Sequence, residues 1–115
     1  MTQNPLVDPA IEVTPERARE LLESGEALVV DVREPYEREA GRIEGTRHIE
    51  LERLASNAES LPKDRPIVFH CRLGARSALA ARAFRSAGYD AWSLRGGIQE
   101  WHDRDLPMTG EVADH

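Results

Sequence analysis

Short apolar runs alternate with helix-patterned stretches along most of this chain, and nothing else in it constrains the fold as tightly. Residues 11–13, 27–31, 66–70 and 89–94 read as strands, and residues 46–49 as a weaker fifth. The runs Ala-Leu-Val-Val-Asp and Pro-Ile-Val-Phe-His have the texture of strands buried on both faces. Helical patterns lie between them. Thr14 stands as an N-cap, Pro15 takes the first helical position, Ala18, Leu21 and Leu22 make a stripe, and Gly25 closes it. Residues 34–40, 51–60 and 96–104 are further helix candidates. Residues 76–87 form another, with Leu79, Ala80, Ala83, Phe84 and Ala87 as its apolar positions and Gly88 as its stop. Such alternation predicts an α/β domain: a mostly parallel sheet with helices on both faces.

At 115 residues the chain can build one core and not two. Residues 11–108 are expected to form the domain, with mobile ends at 1–10 and 109–115. Aromatics make up only 5%, so the core must be mostly aliphatic and Ala. The longest aliphatic run, residues 27–30, is far too short to span a bilayer. No secretory leader pattern is visible, and a reducing, cytoplasmic location is the expectation. A formal charge of −6 argues against nucleic acid or an anionic membrane as partner. That charge is unevenly spread. Residues 65–89 hold five arginines and no acid, while the remainder carries ten basic and 21 acidic residues.

Cys71 is the sole cysteine, so no intramolecular disulfide can form. It lies inside the positive stretch, directly after the strand 66–70, in Cys71-Arg72-Leu73-Gly74-Ala75-Arg76-Ser77. A strand leads in and a helix leads out, and parallel sheets bind ligands beyond the carboxyl ends of their strands. Cys71 therefore sits before a helix N-terminus, where unpaired amides and the helix dipole favour an anion. Arg72 and Arg76 add positive charge, and Gly74 permits the backbone to curl its amides inward. Free cysteines are more often buried packing residues than nucleophiles. Two arginines, a glycine and a helix start within six residues favour the nucleophile. Cysteine phosphatases place five residues between Cys and Arg; here there are four, which makes a tighter ring suited to attack on sulfur.

With this loop in view, the chain resembles the single-domain rhodanese-like sulfurtransferases, from about Ile11 to Pro107. Three blocks carry the resemblance: Asp31-Val32-Arg33-Glu34 with residues 41–46, the loop from Cys71 to Ser77, and Gly96-Gly97-Ile98 with Trp101 and Leu106-Pro107. Arg42 stands where His is usual, Glu44 and Glu50 where Pro is frequent, and Thr46 where Ala is usual. The resemblance implies a three-layer α/β/α fold around a central, mostly parallel five-stranded sheet. It implies sulfane-sulfur transfer through a Cys71 persulfide, from a small anionic donor such as thiosulfate to an external thiol, protein or cyanide, with no cofactor. Arg72, Leu73, Gly74, Ala75, Arg76 and Ser77 would bind the donor, with Asp31 and Arg33 in support. Since there is no second cysteine, the acceptor must come from another molecule. A sulfur carrier or sensor acting with a partner protein, a cysteine phosphatase, and an inert interaction domain remain as competing readings.

The other polar and aromatic residues have simpler explanations. His70 is expected to pack at its strand end. His48, His102 and His115 show no ligand spacing, and no metal site is expected. Trp92 and Trp101 read as packing residues, Gly96-Gly97 as a tight strand-to-helix turn, and residues 34–42 as a solvated helix face. Arg82 and Arg85 lie opposite the apolar stripe, where they could meet an acidic partner.

Overall fold

A computed structural model of the protein describes residues 8–113. A 3-10 turn (Pro9–Ile11) opens it, capped by the Asp8 carboxylate on the Ala10 amide at 3.0 Å. Next come β1 (Glu12–Val13) and α1 (Pro15–Ser24), whose start is fixed by Thr14 Oγ accepting from the Arg17 amide at 3.1 Å. Then follow β2 (Leu28–Asp31), α2 (Pro35–Ala40), β3 (Gly41–Arg42) and β4 (Arg47–His48). The second half runs β5 (Ile67–His70), α3 (Ala75–Ser86), β6 (Ala91–Leu94), α4 (Gly97–Asp103) and β7 (Thr109–Gly110).

The main sheet has five strands, all parallel, in the order β1-β6-β5-β2-β4. Successive residues of a strand face opposite ways, and the core divides accordingly. Val30, Val32, Ile67, Phe69 and Phe84 lie in one cluster with Leu54 and Leu61. Val29, Val68 and Leu94 lie in the other with Leu21, Ile98 and Trp101. Helices thus cover both faces, and β5 is completely buried. Phe69 packs on Phe84 with ring centroids 5.1 Å apart, and Phe84 meets Tyr89 edge-on at 4.9 Å. Burying each such ring is worth roughly 1.5–3 kcal/mol. Among the described residues no helix is long and apolar enough to cross a membrane.

Three segments differ from expectation. Residues 51–60 are not one α-helix but two 3-10 pieces, Leu51–Arg53 and Ala55–Ser60. Ser56 Oγ and Asn57 Nδ2 both donate back to the Arg53 carbonyl, at 3.1 and 2.8 Å, and this competes with the α-helical ladder. The inner face of α3 is Ser77, Ala78, Ala80, Ala81 and Phe84, while Leu79, Ala83 and Ala87 are exposed. With alanine on every side of this helix, the apolar pattern does not specify its rotation. Finally, β3 and β7 form a separate antiparallel pair, Gly41 opposite Gly110. Of the ends 1–10 and 109–115, Pro9 and Ala10 lie in the 3-10 turn and Thr109–Gly110 form β7; residues 1–7 and 114–115, and His115 with them, lie outside the described residues.

Candidate active site

β5 is the middle strand of the sheet, between β2 and β6, and Cys71 follows directly on its last residue. The chain then turns into α3 through Gly74, which adopts φ 111°, a left-handed conformation that glycine takes without penalty. The loop is clamped from below. The Ile98 amide donates to the Cys71 carbonyl at 2.9 Å, and the Gln99 amide to the Arg72 carbonyl at 3.0 Å. These are free N–H groups at the start of α4, so one helix end satisfies the carbonyls of the loop. Gly97 makes the approach possible: it has φ 62°, and a Cβ there would lie 2.7 Å from the Cys71 carbonyl oxygen. The Gly96-Gly97 pair is a tight turn, as expected, and also gives clearance to the Cys71 loop.

The Cys71 thiol is 1% exposed. Its sulfur accepts from the Gly74 amide at 3.1 Å and lies 3.5 Å from Ser77 Oγ. Ser77 Oγ also reaches the Gly74 carbonyl at 3.2 Å and Ser93 Oγ, on β6, at 2.8 Å. Two buried hydroxyls therefore stand beneath the sulfur, and a hydroxyl rotates to suit its partner. Ser77 can aim its proton at the Gly74 carbonyl, or at the sulfur when that is anionic, with Ser93 supplying a compensating bond. Above lies an open pocket of about 210 Å³ lined by Cys71, Arg72, Leu73, Ala75 and Arg76. The N-terminus of α3 adds the positive end of a helix dipole.

Arg76 forks onto Glu37 of α2, at 2.7 and 2.9 Å. Burial would raise the Glu37 carboxyl, but hydrogen bonds from Arg76 and from the Glu34 amide outweigh it and hold it below its ordinary range. The hydrogen bond to Glu37 in turn holds the Arg76 guanidinium more firmly protonated than usual. Behind this pair stands a second one. Arg33 binds Asp31 through two donors, both at 2.9 Å, and both side chains are fully buried. Burial alone would raise the Asp31 carboxyl; the His70 ring, charged at low pH, and the Arg33 fork outweigh it and keep it well below the usual range. Arg33 also donates to the carbonyls of Glu37 and Gly41, at 3.3 and 2.7 Å. Asp31 and Arg33 thus reach the loop indirectly, by anchoring the segment that holds Glu37. Arg38 completes the cluster with bonds to Asp31 and Thr46.

Of the expected loop residues, exposed Leu73 and half-buried Arg72, Ala75 and Arg76 line the pocket with Cys71, while Gly74 and Ser77 are buried against the sulfur. Residues 34–42 are not simply a solvated face, because Glu37 is buried and Arg38 is half-buried against Asp31. Their mutual pairing, invisible to a helical pattern, is the reason. Glu37 and Ser93 join the candidate site without a sequence expectation, and Gly97, expected only as part of a turn, joins them. The acid three residues after Glu34 and the glycine before a helix start were the available signals. His70 packs inside as expected; burial pushes it down to about 4, so the ring is neutral near pH 7, 3.9 Å from Asp31. His48 Nε2 meets the Arg33 carbonyl at 2.7 Å. Trp101 is buried and bonds the Pro107 carbonyl, whereas Trp92 is half-buried under the Arg85 guanidinium. Arg85 also donates to the Ala91 carbonyl at 2.6 Å, so it is engaged within the fold.

The fold is thus a parallel α/β sheet that ends its middle strand at a buried cysteine, beside the N-terminus of the helix that follows. Residues 14–104 match the model of the rhodanese-like domain, and the chain belongs to that family of sulfurtransferases. It is 40% identical over 90 residues to the thiosulfate sulfurtransferase GlpE of Pseudomonas aeruginosa, covering 77% of this chain and 81% of that one. It is 34% identical over 93 residues to a sulfurtransferase of Allochromatium vinosum, covering 80% and 87%. The rhodanese-related protein of Thermoplasma volcanium superposes with a TM-score of 0.79 at 28% identity, over 87% of this chain and 98% of that one.

Proposed function

We propose that this protein transfers sulfane sulfur from thiosulfate, or a similar small anionic donor, through Cys71 to an external acceptor. The observation that carries this reading is the sulfur itself: it sits at the base of a small pocket, on the Gly74 amide, at the start of α3. In the first half-reaction the Cys71 thiolate attacks the outer sulfur of thiosulfate. A bond forms between Sγ and that sulfur, the sulfur–sulfur bond of the donor breaks, and sulfite leaves with its electron pair. The loop amides and Arg72 receive the sulfonate oxygens. Arg76, fixed on Glu37, keeps a positive charge at the rim and holds the end of the loop in place. In the second half-reaction the acceptor attacks the outer sulfur of the persulfide and Cys71 leaves as thiolate. Ping-pong kinetics follow. Ser77, turned toward the sulfur, donates to the anionic form in both halves. A reducing compartment keeps the resting thiol available.

The test is intact-mass spectrometry of the purified protein, before and after thiosulfate and then after cyanide. Thiosulfate should add the mass of one sulfur atom, cyanide should remove it as thiocyanate, and Cys71→Ala should do neither. Retained thiocyanate production by Cys71→Ala would overturn the reading. Robust hydrolysis of an aryl phosphate, with no sulfur loading, would favour a phosphatase instead.

A further inference from the structure

We infer that the outer face of α3 is the docking surface for the sulfur acceptor, and that this acceptor is a protein segment with apolar side chains and acidic neighbours around its thiol. This rests on the sulfur-transfer reading above and names the partner for its second half-reaction. Among the described residues three large hydrophobic side chains are exposed: Tyr36 at 53%, Leu73 at 60% and Leu79 at 57%. Exposed apolar residues scattered singly need no explanation, so what counts is where these lie relative to the pocket. Leu73 and Ala75 line the pocket mouth, and Leu79 lies one helical turn beyond Ala75 on the same side of α3. Tyr36 lies on α2, next in sequence to the Glu37 that grips Arg76.

The geometry of the pocket adds a second reason. Cys71 is 1% exposed beneath a space of about 210 Å³, which admits a side chain and not a folded surface. A protein acceptor must therefore insert its thiol on a slender arm and rest the remainder on the rim. That rim is apolar and positive. Arg82 is three residues past Leu79 and shares its face; no hydrogen bond or ion pair engages it among the described residues. It belongs to the stretch 65–89, which holds five arginines and no acid. Arg85, expected to join Arg82, is taken up by Ala91 and Trp92 instead. On the far side of β2, Glu34, Glu50 and Glu52 bring carboxylate oxygens within 4.8 Å of one another. That negative border repels an acidic partner and confines it to the α3 side.

The transfer step is balanced. The acceptor thiolate attacks the outer sulfur of Cys71–S–SH, a new sulfur–sulfur bond forms on the acceptor, the bond to Cys71 Sγ breaks, and Cys71 leaves as thiolate. The acceptor departs as a persulfide.

The experiment loads Cys71 in parallel with thiosulfate and with inorganic polysulfide, removes the excess, and times unloading by intact mass. Matched synthetic peptides with one cysteine serve as acceptors: one leucine-rich with glutamates, one leucine-rich with lysines, one serine-rich with glutamates. Dithiothreitol is the small control. The leucine–glutamate peptide should unload the protein roughly tenfold faster than the lysine version, an advantage that salt erodes. Leu79→Ser and Arg82→Glu should each cut that preference about threefold or more, leaving dithiothreitol unloading and thiosulfate–cyanide turnover unchanged. Equal rates for the peptides, or variants that keep the full preference, overturn the docking surface. If polysulfide loads Cys71 and thiosulfate does not, the donor assignment falls while the docking test proceeds. If neither loads it, both fall.

Discussion

Arg76 binds Glu37 through two parallel hydrogen bonds, 2.7 and 2.9 Å long, and this pair ties the end of the Cys71 loop to α2. The carboxylate is 5% exposed and the guanidinium 34%, so the fork is sheltered on one side only. Its geometry suits arginine and not lysine, whose point charge cannot bridge two oxygens. Glu37→Gln should lower stability by about 1–3 kcal/mol in chemical denaturation and reduce kcat/KM for thiosulfate. Arg76→Lys should reduce kcat/KM while costing less stability. In a double-mutant cycle the two positions should couple by at least about 0.5 kcal/mol. Strictly additive effects would show that the fork does not hold the loop.

Gly97→Ala tests the clamp beneath the loop. The substitution forces a left-handed backbone and drives a Cβ to 2.7 Å from the Cys71 carbonyl oxygen. Stability should fall by about 2 kcal/mol or more, and sulfur loading should fall with it. Gly88→Ala is the matched control: φ is 93°, but nothing lies within 4 Å of the added carbon. It should cost only about 1 kcal/mol and leave loading intact. Identical behaviour of the two variants would mean that strain matters and close approach does not.

Ser93 reaches Cys71 only through Ser77, 2.8 Å away, so on the proposed reading it is a positioning residue. Ser93→Ala should slow loading of Cys71 about three- to tenfold, roughly the worth of one hydrogen bond. Ser93→Thr keeps the hydroxyl and should restore most of the rate. A rate unchanged by alanine, measured by rapid-quench mass spectrometry, would remove Ser93 from the site.

His70 sets a pH dependence of folding. Its ring is fully buried, and burial pushes it from 6.5 down to about 4. The unfolded chain therefore binds a proton that the folded one refuses between those values. The stabilisation is complete above pH 6.5 and is lost as the pH falls through about 4, a change of about 3 kcal/mol at most. Denaturant midpoints measured from pH 7 to pH 4 should fall for the native protein and fall less for His70→Gln. Parallel slopes would assign the acid sensitivity to other groups.

Much of this was legible in the residues, because the strongest signals were local. Thr14-Pro15 caps α1, the apolar runs become β2 and β5, and Cys71 follows one of the two runs that read as buried strands. The parts that were not legible depend on contacts distant in sequence. Glu37 meets Arg76 across 39 positions, and Ser77 meets Ser93 across 16. No periodicity reports such pairings. α3 was misoriented for a different reason: its alanines suit either face, and the seat of Ser77 under the sulfur decides the rotation. In residues 51–60, side chains that bond the nearby backbone defeat a helical spacing that is otherwise sound.

β5 carries hydrogen-bonded neighbours along both edges and core clusters on both faces. Such a strand opens only when the whole domain does. The thiol at its tip is thus mounted on the part of the molecule slowest to fray. A form that has lost this sheet has lost the seat of Cys71 with it, so the loop cannot outlast the core that carries it.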